Sequence, residues 1–288
     1  MRRNDTRRGI ILMVAATAIF AMQDGISRHL ASGYNVWMVV TIRYWFLALF
    51  VVALAARKPG GLRETIRSGR PVLQVLRGFL LAGQICVIVT SFTLLGLVET
   101  HAVFACYPLL VAALSGPILG ENVGWRRWAA IAIGFVGILV ILQPGFSVFD
   151  PAALVALLAA AMFAVYGLLT RYVARIDTPD TSFFYVGTVG VVLMTPLGLA
   201  NWEVMTLPDY GWMAVLTVIG ALGHWCLIKC YEAAEVSAVQ PFAYLQLVWV
   251  SFIGVFVFAE TMSTNVILGA CVVVTAGLFT LWRERMKR

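Results

Sequence analysis

Charged residues are scarce in this 288-residue chain: Asp, Glu, Lys and Arg make up 12% of it, whereas hydrophobic residues make up 61%. Soluble domains carry roughly 25% charged residues, so this composition excludes a soluble fold for most of the chain. The apolar residues instead form runs of about 20, the length that an α-helix needs to cross a bilayer. We therefore predict an all-α integral membrane protein that has the lipid bilayer as a partner.

Signatures of metal binding and of phosphate chemistry are missing as well. The three histidines show no metal-ligand spacing, no Gly-rich phosphate loop is present, and all five cysteines fall inside apolar runs. We expect no cofactor, no metal and no enzyme, and we keep an intramembrane enzyme only as an alternative of another class. The net charge of +7 comes from short basic clusters between apolar runs, so we expect no nucleic-acid partner.

Ten apolar segments have the length of a membrane-spanning helix. They lie near residues 10–30, 36–56, 72–95, 98–119, 125–142, 151–174, 180–200, 209–231, 236–259 and 265–283. If the N-terminus is cytoplasmic, every Lys and Arg except Arg28 and Arg43 falls on the inner side. The positive-inside rule thus predicts a multi-pass protein of the cytoplasmic (inner) membrane with both termini in the cytoplasm.

The second five segments resemble the first five, which indicates an internal duplication. Three matches carry it: residues 16–21 with 159–164, Ser27-Arg28 with Thr170-Arg171, and Gly120-Glu121 with Ala259-Glu260. An odd number of spans per copy places the copies in opposite orientations, and inverted repeats of this kind form transport sites at the membrane midplane. The predicted fold is ten transmembrane helices as two inverted five-helix repeats, residues 1–145 and 146–288, around a central cavity.

Three short stretches are shared with a known group of transporters. They are Thr41-Ile42-Arg43-Tyr44, the stretch from Pro108 to Glu121, and Ala259-Glu260-Thr261. Through them the chain resembles the drug/metabolite transporter superfamily, in its ten-helix form with paired EamA-type repeats, and within it the bacterial aromatic amino-acid and methionine exporters of the YddG type. The resemblance implies alternating access around a central cavity. The second copy departs from the pattern, since Leu247 stands where the first copy has Pro108 and no arginine matches Arg43.

Polar and aromatic residues in the middle of spans are the candidates for a substrate site, because they are costly in lipid and normally face a cavity or a partner. The third, fourth, eighth and ninth spans supply Gln84, His101, Tyr107, His224, Trp225, Tyr244, Gln246 and Trp249. Gln240 and Pro241 accompany them on the ninth span. The structural alternative for each polar residue is a hydrogen bond between helices.

Three charged residues fall inside the first two spans. Asp24 and Arg28 are one helical turn apart, and we expect them to pair with each other. Arg43 needs a partner, with Asp24 or Glu99 as candidates. We interpret Asp24, Arg28 and Arg43 as structural ion pairs; the functional alternative for Arg43 is a base that binds the carboxylate of an amino acid.

These features together predict a monomeric exporter of amino acids or related small metabolites that works by alternating access. Aromatic amino acids and methionine are the expected substrates because of the resemblance alone. The alternative within transport is an exporter of multiple drugs or cationic compounds. No acidic residue is predicted at the bilayer centre, so proton coupling and facilitated transport both stay open.

Overall fold

The computed structural model describes residues 5–58, 60–120, 124–142, 151–234, 239 and 242–285. The helices in these ranges are α1 (Thr6–Gly33), α2 (Val36–Ala56), α3 (Gly61–Ile66), α4 (Pro71–Leu95), α5 (Leu97–Phe104), α6 (Tyr107–Leu119), α7 (Trp125–Leu142), α8 (Ala153–Val173), α9 (Pro179–Ala200), α10 (Leu207–Ala233), α11 (Leu245–Phe258) and α12 (Thr264–Arg285). The described residues contain no strand. Glu121, Gln240 and Pro241 lie outside them.

Seven of the described helical segments are long and apolar enough to cross a membrane. They are α1, α2, α4, α5 with α6, α8, α9 and α10. Three further apolar stretches are shorter: Trp128–Ile141, Leu245–Phe258 and Thr264–Phe279. The prediction of an all-α, multi-pass membrane protein is therefore confirmed, whereas the count of ten spans stays a prediction.

The fourth predicted span is not one continuous helix. It divides into α5 and α6 after Phe104, where the amide of Cys106 donates to the carbonyl of Val103 at 3.1 Å. Pro108 explains the division, because proline has no amide hydrogen for the carbonyl of Phe104 one turn earlier. The polar stretch between the second and third spans also differs from the sequence analysis, since it contains the short helix α3.

Hydrogen bonds between loops and termini define two ends of the bundle. At one end the amide of Asp5 donates to the carbonyl of Ala233 at 2.9 Å; this is named the N-terminal end. At the other, the Tyr34 hydroxyl donates to Asp209 Oδ2 at 2.7 Å; this is named the Asp209 end. The helices run between these two ends and bring their middle residues together.

The packing of the helices is similar in the two halves of the chain. Helix α1 packs on α10 and α11, and α8 packs on α4 and α6. Helix α2 packs on α9, and α7 packs on α12. The backbones of α7 and α12 come close together at two glycines. A Cβ on Gly137 would lie 2.8 Å from the carbonyl oxygen of Gly269. Small residues allow membrane helices to approach in this way.

Candidate functional site

A small cavity lies in the middle of the bundle, lined from α1, α2, α4, α5, α8, α10 and α11. Its polar lining residues are Gln23, Asp24, Arg43, Gln84, His224 and Gln246. The cavity has a volume of about 40 Å³, which holds a few water molecules at most, since one water needs about 10–15 Å³ on this measure. Sites for small molecules measure about 300–1,000 Å³. As the described residues form it, this cavity is therefore too small to hold a metabolite.

Asp24 is the buried carboxylate of the cavity, and side chains of three helices hold it. Its Oδ2 atom accepts from Gln246 Nε2 at 3.0 Å and lies 3.1 Å from His101 Nε2. Its Oδ1 atom accepts from Gln23 Nε2 at 3.4 Å. Because Asp24 is only 6% exposed, these contacts replace the water that a carboxylate loses on burial.

His101 connects Asp24 to the backbone of α5. Its Nδ1 atom lies 3.0 Å from the carbonyl oxygen of Leu97, which only accepts, so Nδ1 must carry hydrogen. Its Nε2 atom faces the Asp24 carboxylate at 3.1 Å. The ring is therefore fixed between α1 and α5.

Arg43 supplies the positive charge of the cavity. It is 7% exposed, and its Nη1 atom donates to Ser27 Oγ at 3.5 Å. No carboxylate among the described residues forms an ion pair with it within 4 Å. The cavity therefore holds a buried guanidinium group and, on α1, the Asp24 carboxylate, which do not pair with each other.

Polar atoms without partners surround this guanidinium group. Gln23 Oε1 and both ring nitrogens of His224 are buried and have no hydrogen-bond partner in the described part of the chain. A Cβ on Gly220 would lie 3.0 Å from Gln23 Oε1 and 3.5 Å from Arg43 Nη2, so both side chains converge on this glycine. Each buried unpaired polar group costs about 1–3 kcal/mol, and such groups indicate a place where a ligand or water binds.

An aromatic cluster separates the cavity from the N-terminal end. It consists of Phe104, Tyr107, Phe163 and Tyr166. The ring centroids of Phe104 and Tyr107 are 5.1 Å apart, as are those of Tyr107 and Phe163. Phe163 continues to Tyr166 at 5.9 Å. Phe104 and Phe163 also line the cavity, so the cluster forms the cavity wall that faces the N-terminal end.

A charged contact, named the Glu260 clamp, closes the Asp209 end. The amides of Leu97 and Val98 each donate to one Glu260 carboxylate oxygen at 2.8 Å. Arg28 forms an ion pair with the same carboxylate and lies 4.3 Å from the ring centroid of Phe258. The clamp consists of Glu260, Arg28 and the first residues of α5, so it connects α1, α5 and the end of α11.

Two matches to one family cover nearly the whole chain. The EamA-like transporter family matches residues 7–143 and again residues 150–282. The chain belongs to the EamA-like transporter family. The resemblance stated from its motifs is thereby confirmed, and this EamA-family protein is a membrane transporter.

Several curated relatives align with the EamA-family chain over most of its length. An S-adenosylmethionine uptake transporter of Rickettsia prowazekii (strain Madrid E) is 25% identical over 280 residues, 96% of this chain and 93% of the relative. A riboflavin transporter of Vibrio cholerae serotype O1 is 28% identical over 293 residues, 98% of this chain and 95% of the relative. A crystal structure that is 17% identical has a TM-score of 0.67 and covers 97% of this chain and 99% of its own, which shows a shared fold.

The structure brings several of the predicted residues of this transporter together. Gln84, His224, Gln246, Asp24 and Arg43 line the cavity. His101 reaches it through Asp24, and Tyr107 belongs to the aromatic cluster. The structure pairs Arg28 with Glu260 instead of Asp24, which differs from the prediction.

Three predicted residues of the transporter lie elsewhere. Trp225 packs against the core without lining the cavity. Tyr244 points at α12, since a Cβ on Gly277 would meet its hydroxyl. Trp249 is 41% exposed, which fits a ring at the lipid-facing surface.

The sequence analysis missed Gln23, Phe104, Phe163 and the buried Arg77. Gln23 had a usable signal, because it is a polar residue in the middle of a span. The two phenylalanines had none, since apolar rings fill every span of this transporter. No group of three or more His, Cys, Asp or Glu residues in the described ranges could hold a metal ion.

Proposed function

We propose that this EamA-family transporter moves a small metabolite with a carboxylate and a positive charge, as amino acids and S-adenosylmethionine have, across the cytoplasmic membrane. The observation that supports it is Arg43, a buried guanidinium beside unpaired Gln23 and His224 atoms in the central cavity. A substrate carboxylate satisfies such donors with charge-assisted hydrogen bonds. Asp24, on α1 in the same cavity, offers the opposite charge to an ammonium or sulfonium group.

The apolar part of the cavity fits the same substrates. Phe20, Phe104 and Phe163 contribute to its lining, and rings of this kind contact aromatic and thioether side chains favourably. The Rickettsia relative is named for S-adenosylmethionine uptake, which is a methionine derivative with these charges. Export, which the YddG-type resemblance implies, stays a prediction for this chain.

A second candidate substrate is a flavin. The Vibrio relative is named a riboflavin transporter, and the aromatic cluster next to the cavity offers rings for stacking an isoalloxazine. Riboflavin has no carboxylate, however, so it leaves the Arg43 charge without a counterion. We therefore rank it second.

Alternating access between two inverted repeats, residues 1–145 and 146–288, is the proposed mechanism. Three observations support it: the family matches each half once, the helix contacts of α1 and α8 correspond, and the start of α1 lies at the same end as the residues that follow α8. For the last, Arg171 Nη1 near the end of α8 donates to the carbonyl of Tyr231 at 3.2 Å, close to Ala233, whose carbonyl accepts from the amide of Asp5. We propose ten spans, a monomer and cytoplasmic termini on this basis.

The test is transport by the purified full chain in proteoliposomes. We expect saturable uptake of labelled methionine or S-adenosylmethionine, and weaker transport of methionine methyl ester, which lacks the carboxylate. Arg43→Gln should raise the KM for methionine roughly tenfold or more, because a hydrogen bond to a charged group contributes about 1.5–3 kcal/mol. Trp249→Phe, outside the cavity, is the matched control and should leave the KM within twofold.

Two results would redirect this proposal, and a further measurement decides whether transport is coupled to protons. Saturable uptake of riboflavin without uptake of any carboxylate substrate supports the second candidate. Uptake of ethidium alone supports the multidrug alternative. An imposed pH gradient that changes wild-type uptake but not Asp24→Asn uptake assigns proton coupling to the Asp24–His101 pair; no response in either protein indicates facilitated transport.

A further inference from the structure

Arg77 in α4 is the largest side chain that the structure buries completely, with 0% exposure. An arginine side chain stays charged in proteins, and a charge within a membrane span is costly and usually has a function. No carboxylate in the described ranges forms an ion pair with Arg77 within 4 Å. The nearest route to a negative charge passes through another side chain.

That side chain is Gln74. Its Oε1 atom accepts from Arg77 Nη1, and its Nε2 atom donates to Asp177 Oδ2 at 2.8 Å. Asp177 also accepts from Ser68 Oγ at 2.5 Å and from the amide of Gly69 at 2.8 Å. Three donors from other residues therefore hold the Asp177 carboxylate, and Arg77 keeps unused donor capacity.

The rest of the Arg77 guanidinium faces Tyr166. Its central carbon lies 5.3 Å from the centroid of the Tyr166 ring, and its Nε atom donates to Thr170 Oγ1 at 3.0 Å. Arg77 Nη2 and the Tyr166 hydroxyl are both buried without a hydrogen-bond partner in the described part of the chain. Tyr166 belongs to the aromatic cluster, so Arg77 lies directly behind that barrier, as seen from the cavity.

The internal duplication relates Arg77 to Arg43. Thr170 matches Ser27, and the same alignment places Tyr166 over Gln23. Arg43 from α2 donates to Ser27 beside Gln23, and Arg77 from α4 donates to Thr170 beside Tyr166. Both arginines belong to the first repeat and come from helices that do not correspond, yet the equivalent hydroxyl of each repeat accepts from a buried guanidinium.

We propose that Arg77 is a second binding residue for the negatively charged group of the substrate, used when the aromatic cluster opens toward the N-terminal end. Tyr166 covers the guanidinium in the closed structure. Movement of Tyr166 exposes Arg77 to the cavity, and the substrate carboxylate passes from Arg43 to Arg77. This inference rests on the proposed carboxylate substrate and adds a second binding position along its path.

The test compares the two sides of the membrane. Right-side-out and inside-out vesicles from cells that express the full chain allow methionine to be offered to either end, with an N-terminal tag reporting the orientation. Arg77→Gln should raise the KM roughly tenfold when methionine is offered to the N-terminal end and leave it within twofold at the Asp209 end. In this proposal Arg43 binds the substrate from either end, so Arg43→Gln should raise both KM values. Arg77→Lys should recover part of the increase in KM that Arg77→Gln causes at the N-terminal end.

A purely structural role for Arg77 gives a different result. It would lower the amount of folded protein or the maximal rate equally from both sides, with no one-sided change in KM, and this would overturn the proposal. If wild-type protein transports no carboxylate substrate, the proposed function fails as well. If wild-type protein transports a carboxylate substrate but the Arg77 variants show no difference between the two sides, only this inference fails.

A measurement on wild-type protein covers the case in which Arg77 variants do not fold. Phenylglyoxal modifies accessible arginines, and mass spectrometry identifies the modified sites. During methionine exchange Arg77 should become modified, and its rate of modification should be lower at saturating methionine. The exposed Arg70 should be modified at the same rate under both conditions. Complete protection of Arg77 under exchange conditions would overturn the proposal.

Discussion

The two barriers that close the central cavity differ in chemistry. At the Asp209 end, one carboxylate accepts two backbone hydrogen bonds and pairs with Arg28, so the Glu260 clamp depends on a single side chain. Toward the N-terminal end, the aromatic cluster distributes its contacts over four rings. Closure of the first barrier is electrostatic and concentrated, whereas closure of the second is apolar and shared. A single substitution should therefore affect the two ends very differently.

The largest effect is expected from Glu260→Gln. It leaves Arg28 without its carboxylate and weakens the bonds to Leu97 and Val98, and a hydrogen bond to a charged group contributes about 1.5–3 kcal/mol. The midpoint of denaturant unfolding in detergent should fall accordingly. Glu203→Gln, an exposed glutamate near the same end, is the control and should change nothing. Equal midpoints for both variants would show that the clamp does not hold this end closed.

A smaller effect is expected from Phe163→Leu. The substitution removes one ring of the cluster but keeps an apolar side chain, and an aromatic pair contributes about 0.5–1.5 kcal/mol beyond its buried area. Phe256→Leu, whose ring is 73% exposed, is the matched control. The same unfolding measurement should show a modest loss for Phe163→Leu only. A loss as large as that of Glu260→Gln would contradict a shared barrier.

Added salt should reduce the contribution of the Glu260 clamp to the free energy of unfolding by about 1 kcal/mol or less, and it should affect the aromatic cluster less. Partly exposed ion pairs weaken when salt screens them, and the Arg28 side chain is 21% exposed. Raising the salt concentration should lower the stability of wild-type protein and of Phe163→Leu more than that of Glu260→Gln, which has lost the pair. An identical salt dependence in all three proteins would argue against an electrostatic barrier.

The smallest effect concerns the residues just before the two matched glutamates. Gly120 ends α6 with φ of 74°, and Ala259 ends α11 with φ of 53°. Left-handed backbone costs a residue with a Cβ about 1–2 kcal/mol, and the greater freedom of glycine in the unfolded chain offsets about 0.4–1 kcal/mol of that. Ala259→Gly should therefore raise the unfolding midpoint slightly, and Gly120→Ala should lower it. A fall for Ala259→Gly, or a rise for Gly120→Ala, would show that the two repeats do not share this helix ending.

Much of this arrangement could be predicted from the sequence. Helix positions followed from the length of apolar runs, and Gln84, His224 and Gln246 followed from the cost of polar groups in lipid. Asp24 and Arg43 were interpreted as structural ion pairs, whereas they line the cavity. The role of Phe104 could not be predicted, because spans that are apolar all round do not show which face points inward. The same ambiguity explains why Trp249, expected at the site, lies exposed.

The partner of Arg28 was equally hidden. Its nearest acid in the sequence is Asp24, one helical turn away, whereas Glu260 lies near the other end of the sequence. Local spacing favours the near pair, but three-dimensional packing brings Glu260 to α1 while His101 and Gln246 occupy Asp24. Arg77 was not among the candidate site residues for a related reason: it follows the basic loop closely, so it was counted among the topology signals.

The small size of the cavity has a consequence for the membrane as a whole. Among the described residues, a space of about 40 Å³ with a barrier on each side shows no continuous water path between the two ends. We expect this state to conduct no ions, so that ion gradients and the membrane potential are preserved between transport cycles. Because this cavity has no room for a substrate molecule, the substrate must favour an expanded conformation by its own binding energy. Selectivity then extends beyond recognition: a molecule that fits the charges poorly also fails to open the route.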